Sequence, residues 1–244
     1  MGMTYRLLDR FRSIFEGVVY KHRNSHHGDR LCRELFEDLY EYDPVARFRE
    51  HCNASRRGIS LSNVTEGRKS RRGDGSFGSF VPNEKVVTEE GFHVLRGILA
   101  SKLIGIEVKI LHKSMRKQIN DRIQGLVQHA ETMARTRDSR SKTEAIAIAV
   151  IGVNHAKYTI GYEGERAYKT DGTSKFPHPC DEASEIINKI AREIRPSYDE
   201  TVVLNYSATN ERPFEFSWID EKETSRQYGA VIVRIAEEYA RRFD

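Results

Sequence analysis

Two side chains of opposite charge sit two residues apart in an otherwise apolar run. They are Glu107 and Lys109, within Leu103-Ile104-Gly105-Ile106-Glu107-Val108-Lys109-Ile110. A carboxylate oxygen is a ligand for hard cations such as magnesium. A neighbouring ammonium can orient a water or stabilise charge on a phosphate as it develops. Side chains two apart on a strand share a face, so the pair would project together. An unpaired charge in such a strand is expensive, so its presence asks for a reason. A structural Glu–Lys pair at a strand end is the plainer explanation of the same residues.

The run is short, continuous and rich in β-branched residues, the pattern of a strand buried on both faces. Residues 92–99 form a second strand candidate, and 100–102 read as the turn of a hairpin between the two. Ser114 is a candidate cap for the helix that follows. In it Met115, Ile119, Ile123, Leu126, Ala130 and Met133 recur at helical spacing. Lys113, Arg116 and Lys117 crowd its start, where free amides and the dipole favour phosphate. Gln118 and Arg122 lie one turn apart at the edge of the stripe. Residues 144–153 read as another fully buried strand, so the intervening helix implies a parallel pair.

Around this centre, Thr4 is expected to cap a first helix carrying Leu7, Leu8, Phe11, Ile14, Phe15 and Val18. Asp29 is expected to cap a second, with Leu31, Cys32, Leu35, Phe36 and Leu39 buried. Its acids Glu34, Glu37, Asp38 and Glu41 would lie on a solvated side. Between them, His22, His26 and His27 read as a polar loop. Residues 55–81 gather Arg56, Arg57, Arg68, Lys69, Arg71 and Arg72 among Gly, Ser and Asn. Such a basic segment suits phosphate contacts, and Phe77 and Phe80 are candidates for stacking on bases. Short strands at 157–162 and 201–207, a helix from Asp181 to about Arg195 and a last helix over 223–243 complete the chain. The aromatic stretch 210–218 is expected to lie on the sheet.

The 244 residues fit one large domain or two small ones, and 38% hydrophobic content suffices for a sizeable core. The formal charge of +4 is too mild to establish nucleic-acid binding by itself. Cys32, Cys52 and Cys180 are far apart and odd in number, which argues for reduced thiols rather than a disulfide framework. No stretch approaches a membrane span and the start lacks an apolar signal core, so a cytoplasmic protein is expected. No glycine-rich nucleotide loop and no Ser-His-Asp ordering points to another enzyme class.

Glu107-Val108-Lys109 in a buried strand with a helix behind it resembles the second half of the PD-(D/E)xK motif of restriction endonucleases and related nucleases. The resemblance covers about residues 92–153. It implies an α/β fold with a mixed central β-sheet flanked by helices, a restriction-endonuclease-like core. Residues 1–54 would be an N-terminal helical segment, 55–153 the basic loop and nuclease-like core, and 154–244 a C-terminal α/β part of the same domain. It further implies a restriction or defence endonuclease that hydrolyses double-stranded DNA with Mg2+ or Mn2+ and acts as a homodimer. Glu107 would bind metal, Lys109 would serve the water or the phosphate, and Gln118 would support the site. Arg68, Lys69, Arg71, Arg72, Lys113 and Lys117 would hold DNA. An early-helix glutamate, Glu37 or Glu34, would approach the metal. The family also has an Asp upstream of the pair, and here the sequence departs from it: residues 92–99 hold no acid, and Gly97 stands where the Asp is sought. Glu90 or Glu89 could supply the carboxylate, or Asp74 from the loop. Otherwise the site is impaired, and the alternative is a nuclease-fold DNA-binding or regulatory protein without turnover.

Overall fold

The computed structural model describes residues 4–22, 24, 26–65, 74–135, 143–162 and 168–243. Among these residues, one mixed sheet holds seven strands. They are β1 (Arg57–Thr65), β2 (Gly75–Ser79), β3 (Arg96–Leu99), β4 (Ile104–Leu111), β5 (Ile146–Asn154), β6 (Glu200–Ala208) and β7 (Phe216–Trp218), in the spatial order β3-β1-β2-β4-β5-β6-β7. Helices flank both faces: α1 (Arg6–Ser13), α2 (His26–Glu41), α3 (Arg47–Asn53), α4 (Met115–Arg135), α5 (Pro179–Lys189) and α6 (Glu221–Arg242). The expected α/β class with a mixed sheet between helices is therefore found. No helix among the described residues is long and apolar enough to cross a membrane.

The period of two in the central strands divides the core. Ile104, Ile106 and Val108 of β4, with Ile146, Ile148 and Val150 of β5, join the cluster made with α1, α2, α3 and α6. Leu111, Ala147, Ala149, Ile151 and Val153 join the cluster with α4 and α5. Strand alternation then puts Glu107 and Lys109 on the α4 side with Leu111. The β4–β5 and β5–β6 pairs are parallel, with α4 and α5 as the connections. The expected helix-linked parallel pair is present.

The expected hairpin between residues 92–99 and β4 is not. β3 lies at the sheet edge, parallel to β1, and β1 and β2 stand between it and β4. The partner of β4 on that side is β2, antiparallel, with Gly75 opposite Ile106. A buried carboxylate explains why the segment before β3 leaves the sheet. Glu37, 1% exposed, accepts from the amides of His93 (3.0 Å) and Val94 (2.8 Å), which pins that stretch against α2. A side chain at Gly97 would meet Phe80, whose ring is 2.8 Å from an ideal Cβ there. The position expected for the missing Asp is thus filled by an aromatic ring.

The solvated acidic face of α2 is also overturned, because Glu34, Glu37 and Asp38 are all buried. Asp38 accepts from the amides of Arg6 (2.7 Å) and Leu7 (3.0 Å) and from the Tyr228 hydroxyl (2.8 Å). The cap of α1 therefore comes from α2 rather than from Thr4. Val18, expected on the buried side, is 46% exposed. Residues 157–162 contribute only an isolated bridge, Ile160 to Lys169. Phe216 and Trp218 do lie against the core, as expected of that aromatic stretch.

Candidate active site

Glu107 and Lys109 project together from β4, with side chains 12% and 19% exposed, and the Lys109 Nζ donates to Glu107 Oε1. The β2–β4 pairing brings a second carboxylate to them. Gly75 is paired with Ile106, so Asp74, at the entrance to β2, falls beside the level of Glu107. Its Oδ2 accepts from the Val108 amide at 2.7 Å, between the two charged residues. Gly28, in the first turn of α2, makes room for it: an ideal Cβ at that position would lie 2.5 Å from Asp74 Oδ1.

The electrostatics agree with the geometry. Burial, and next the charge of Glu107, pushes the Asp74 carboxyl up to about 6, while Lys109 and the Val108 amide pull it down. Asp74 and Glu107 thus stand close enough for each charge to disfavour the other, with Lys109 as partial compensation. Among the described residues no group of three or more His, Cys, Asp or Glu is gathered for a metal. Asp74 and Glu107 are the carboxylates here that could offer hard oxygens to a cation. That suits magnesium or manganese, not the nitrogen- and sulfur-rich set of a zinc site.

The site opens into a cleft of two lobes that share Lys109 and Arg122. One lobe, about 240 Å³, lies between β4 and α4 and includes Ser76, Glu107 and His129. The other, about 320 Å³, includes Tyr20, His22, His27 and Asp74. His27 belongs to the first turn of α2 rather than to a loop, and burial, with Arg30 and His26, lowers its pKa.

Several expected site residues lie elsewhere or are already occupied. Gln118 donates through Nε2 to the Lys113 carbonyl at 2.7 Å and lines neither lobe. Glu37 serves the backbone at 93–94, as described, and Glu34 pairs with Arg6 at 3.0 Å. Glu90 is exposed, and Glu89 is paired with Arg33 and Arg96. Neither lines the cleft. The start of α4 is not an open phosphate cradle, because Glu182 accepts from the amides of Met115 (2.9 Å) and Arg116 (3.1 Å). Glu182, not Ser114, caps that helix. Lys113 sits over the Tyr168 ring, and Lys117 donates to the Lys175 carbonyl. Phe77 is fully buried against Phe36, Phe48 and Tyr239, so it stacks on protein rather than on bases. Arg68, Lys69, Arg71 and Arg72 lie outside the described residues.

Sequence reasoning offers Asp74 only as one option and passes over His129. Their signals are present nonetheless. Asp74-Gly75-Ser76-Phe77 begins a strand immediately after the glycine-rich basic stretch. On α4, Arg122, Gly125, His129 and Thr132 recur at steps of three and four, a second stripe beside the apolar one.

No family model, curated protein or solved structure matches the chain.

Proposed function

We propose that this chain is a metal-dependent nuclease with a restriction-endonuclease-like core, hydrolysing phosphodiester bonds of double-stranded DNA. The observation that carries the reading is Asp74 bonded to the amide between Glu107 and Lys109. It supplies the carboxylate that the pair lacked in the preceding segment. In this reading Asp74 and Glu107 hold Mg2+ or Mn2+, which supplies neutralisation of the phosphate and a more acidic water. Lys109 steadies charge on the phosphate oxygens, and Arg122, exposed above both lobes, holds the strand by a neighbouring phosphate.

The test is cleavage of plasmid and linear duplex DNA with Mg2+ or Mn2+, against EDTA. Asp74→Asn, Glu107→Gln and Lys109→Ala should each lower the rate by about 10³-fold, the scale of losing a preorganised charge at a reacting centre. Cutting at the wild-type rate by both carboxylate variants would sink the proposal. One site per chain cuts one strand, so cutting a duplex through both strands calls for two copies on the DNA. Sedimentation of the chain with and without a duplex measures this. A DNA-binding protein without turnover would instead show salt-dependent affinity and no product in any metal.

A further inference from the structure

His129 reaches the lobe that holds Glu107 and Lys109, and its tautomer is fixed by the hydrogen bonds around it. The Tyr198 hydroxyl has one proton and donates it to the Leu126 carbonyl at 2.9 Å. The contact of 3.1 Å between that hydroxyl and His129 Nδ1 therefore needs the proton on Nδ1. In the neutral ring Nε2 is then bare. Burial, and next the charges of Lys109 and Lys102, pushes the His129 pKa down to about 4, so the ring is neutral at ordinary pH. Nε2 has no hydrogen-bond partner among the described residues. It stands 3.4 Å from where a Cβ on Gly105 would lie. Gly105 and Glu107 are two apart on β4 and share the face toward α4, so Nε2 lies against the strand face from which Glu107 rises, and both side chains line one lobe. Gly105 makes room for Met133 beside His129, since a Cβ there would fall 2.2 Å from Met133 Sδ.

We propose that His129 is a further catalytic residue of this site, its bare Nε2 accepting a hydrogen bond from the water that attacks the phosphorus. The inference rests on the nuclease reading. The water oxygen bonds phosphorus and the bond from phosphorus to the leaving sugar oxygen breaks. The water's proton passes by way of Nε2 to solvent, and the leaving oxygen takes a proton from solvent. Glu107 and Lys109 are engaged with each other, the Lys109 Nζ donating to Glu107 Oε1. His129 thus offers that lobe a neutral ring nitrogen able to accept and pass on a proton, a role an ammonium cannot fill.

The test joins a structural readout to a kinetic one. Nitrogen chemical shifts of the imidazole in the intact chain should show Nδ1 protonated and Nε2 bare, with no titration of this ring between about pH 5 and 8. Tyr198→Phe keeps the ring that stacks on His129 and removes the acceptor, so the Nε2-protonated tautomer should appear and cutting should fall about tenfold. His129→Phe should lower kcat about 100-fold with little change in KM for DNA, and His129→Gln, which retains an acceptor, should recover part of it. A wild-type ring protonated on Nε2 overturns the inference, whether or not His129→Phe folds. So does wild-type cutting by a folded His129→Phe chain, and in that case the nuclease reading stands. A wild-type chain that cuts nothing overturns both.

Discussion

Replacing Asp74 with Asn should lower cutting by about 10³-fold and yet stabilise the fold, because the carboxylate is held where its charge is disfavoured. Its pKa stands at about 6 against an ordinary 3.8. The difference corresponds to about 3 kcal/mol between charged and neutral forms. A raised carboxylate contributes stability that is fully present below the unfolded value and is lost as pH rises through the folded one. Wild type therefore loses that amount between about pH 4 and 6 and stays level above. The amide side chain carries no such penalty and can still accept from the Val108 amide through its carbonyl. The expected gain is up to about 3 kcal/mol near pH 7.5, or roughly 6 to 12 °C in Tm at this chain length, shrinking to nothing near pH 3.5. Urea unfolding of both chains across that range reads it, and groups not coupled to Asp74 cancel in the difference, whereas Glu107 and Lys109 beside it do not. Added Mg2+ or Ca2+ should narrow the gap by stabilising wild type, by about 2.7 kcal/mol at a hundred times the Kd, and the Asp74→Asn chain less. A variant less stable than wild type near neutrality, or a difference independent of pH, would refute the reasoning that Asp74 is desolvated beside Glu107.

Asp38→Ala should cost roughly 3–5 kcal/mol by urea unfolding, since it leaves two amides of α1 and the buried Tyr228 hydroxyl without their acceptor. Asp38→Asn should cost less, and its cost should ease as pH rises, because burial holds the Asp38 carboxyl near 6 and wild type loses stability through that window. Glu182→Ala should destabilise by about 1–2 kcal/mol through the lost cap of α4, with faster amide exchange at Met115 and Arg116. Arg122→Ala should raise KM for DNA several-fold and lower the slope of binding against log salt by about one, leaving Tm unchanged.

The order in which the chain could be read follows from the range of the forces involved. The central strand, α4, the strand behind it and α6 were legible because each carries a periodicity that local sequence expresses on its own. The hairpin expected from local pattern is absent because strand pairing is a long-range choice. Residues 92–95 are extended and apolar enough for a sheet, yet Glu37, distant in sequence, binds their amides and turns them away. The same blindness hid the caps, since Asp38 and Glu182 act on helices other than their own. It also explains the misplaced acid. A search for the second carboxylate in the segment just before β4 assumes that neighbours in sequence are neighbours in the sheet, whereas β1 and β2 are inserted between them. Once β2 is the partner, the basic stretch that precedes it ends at Asp74, on the rim of the cleft. Asp74 then stands against β4 with its Oδ2 on the Val108 amide, although 34 residues separate the two along the chain.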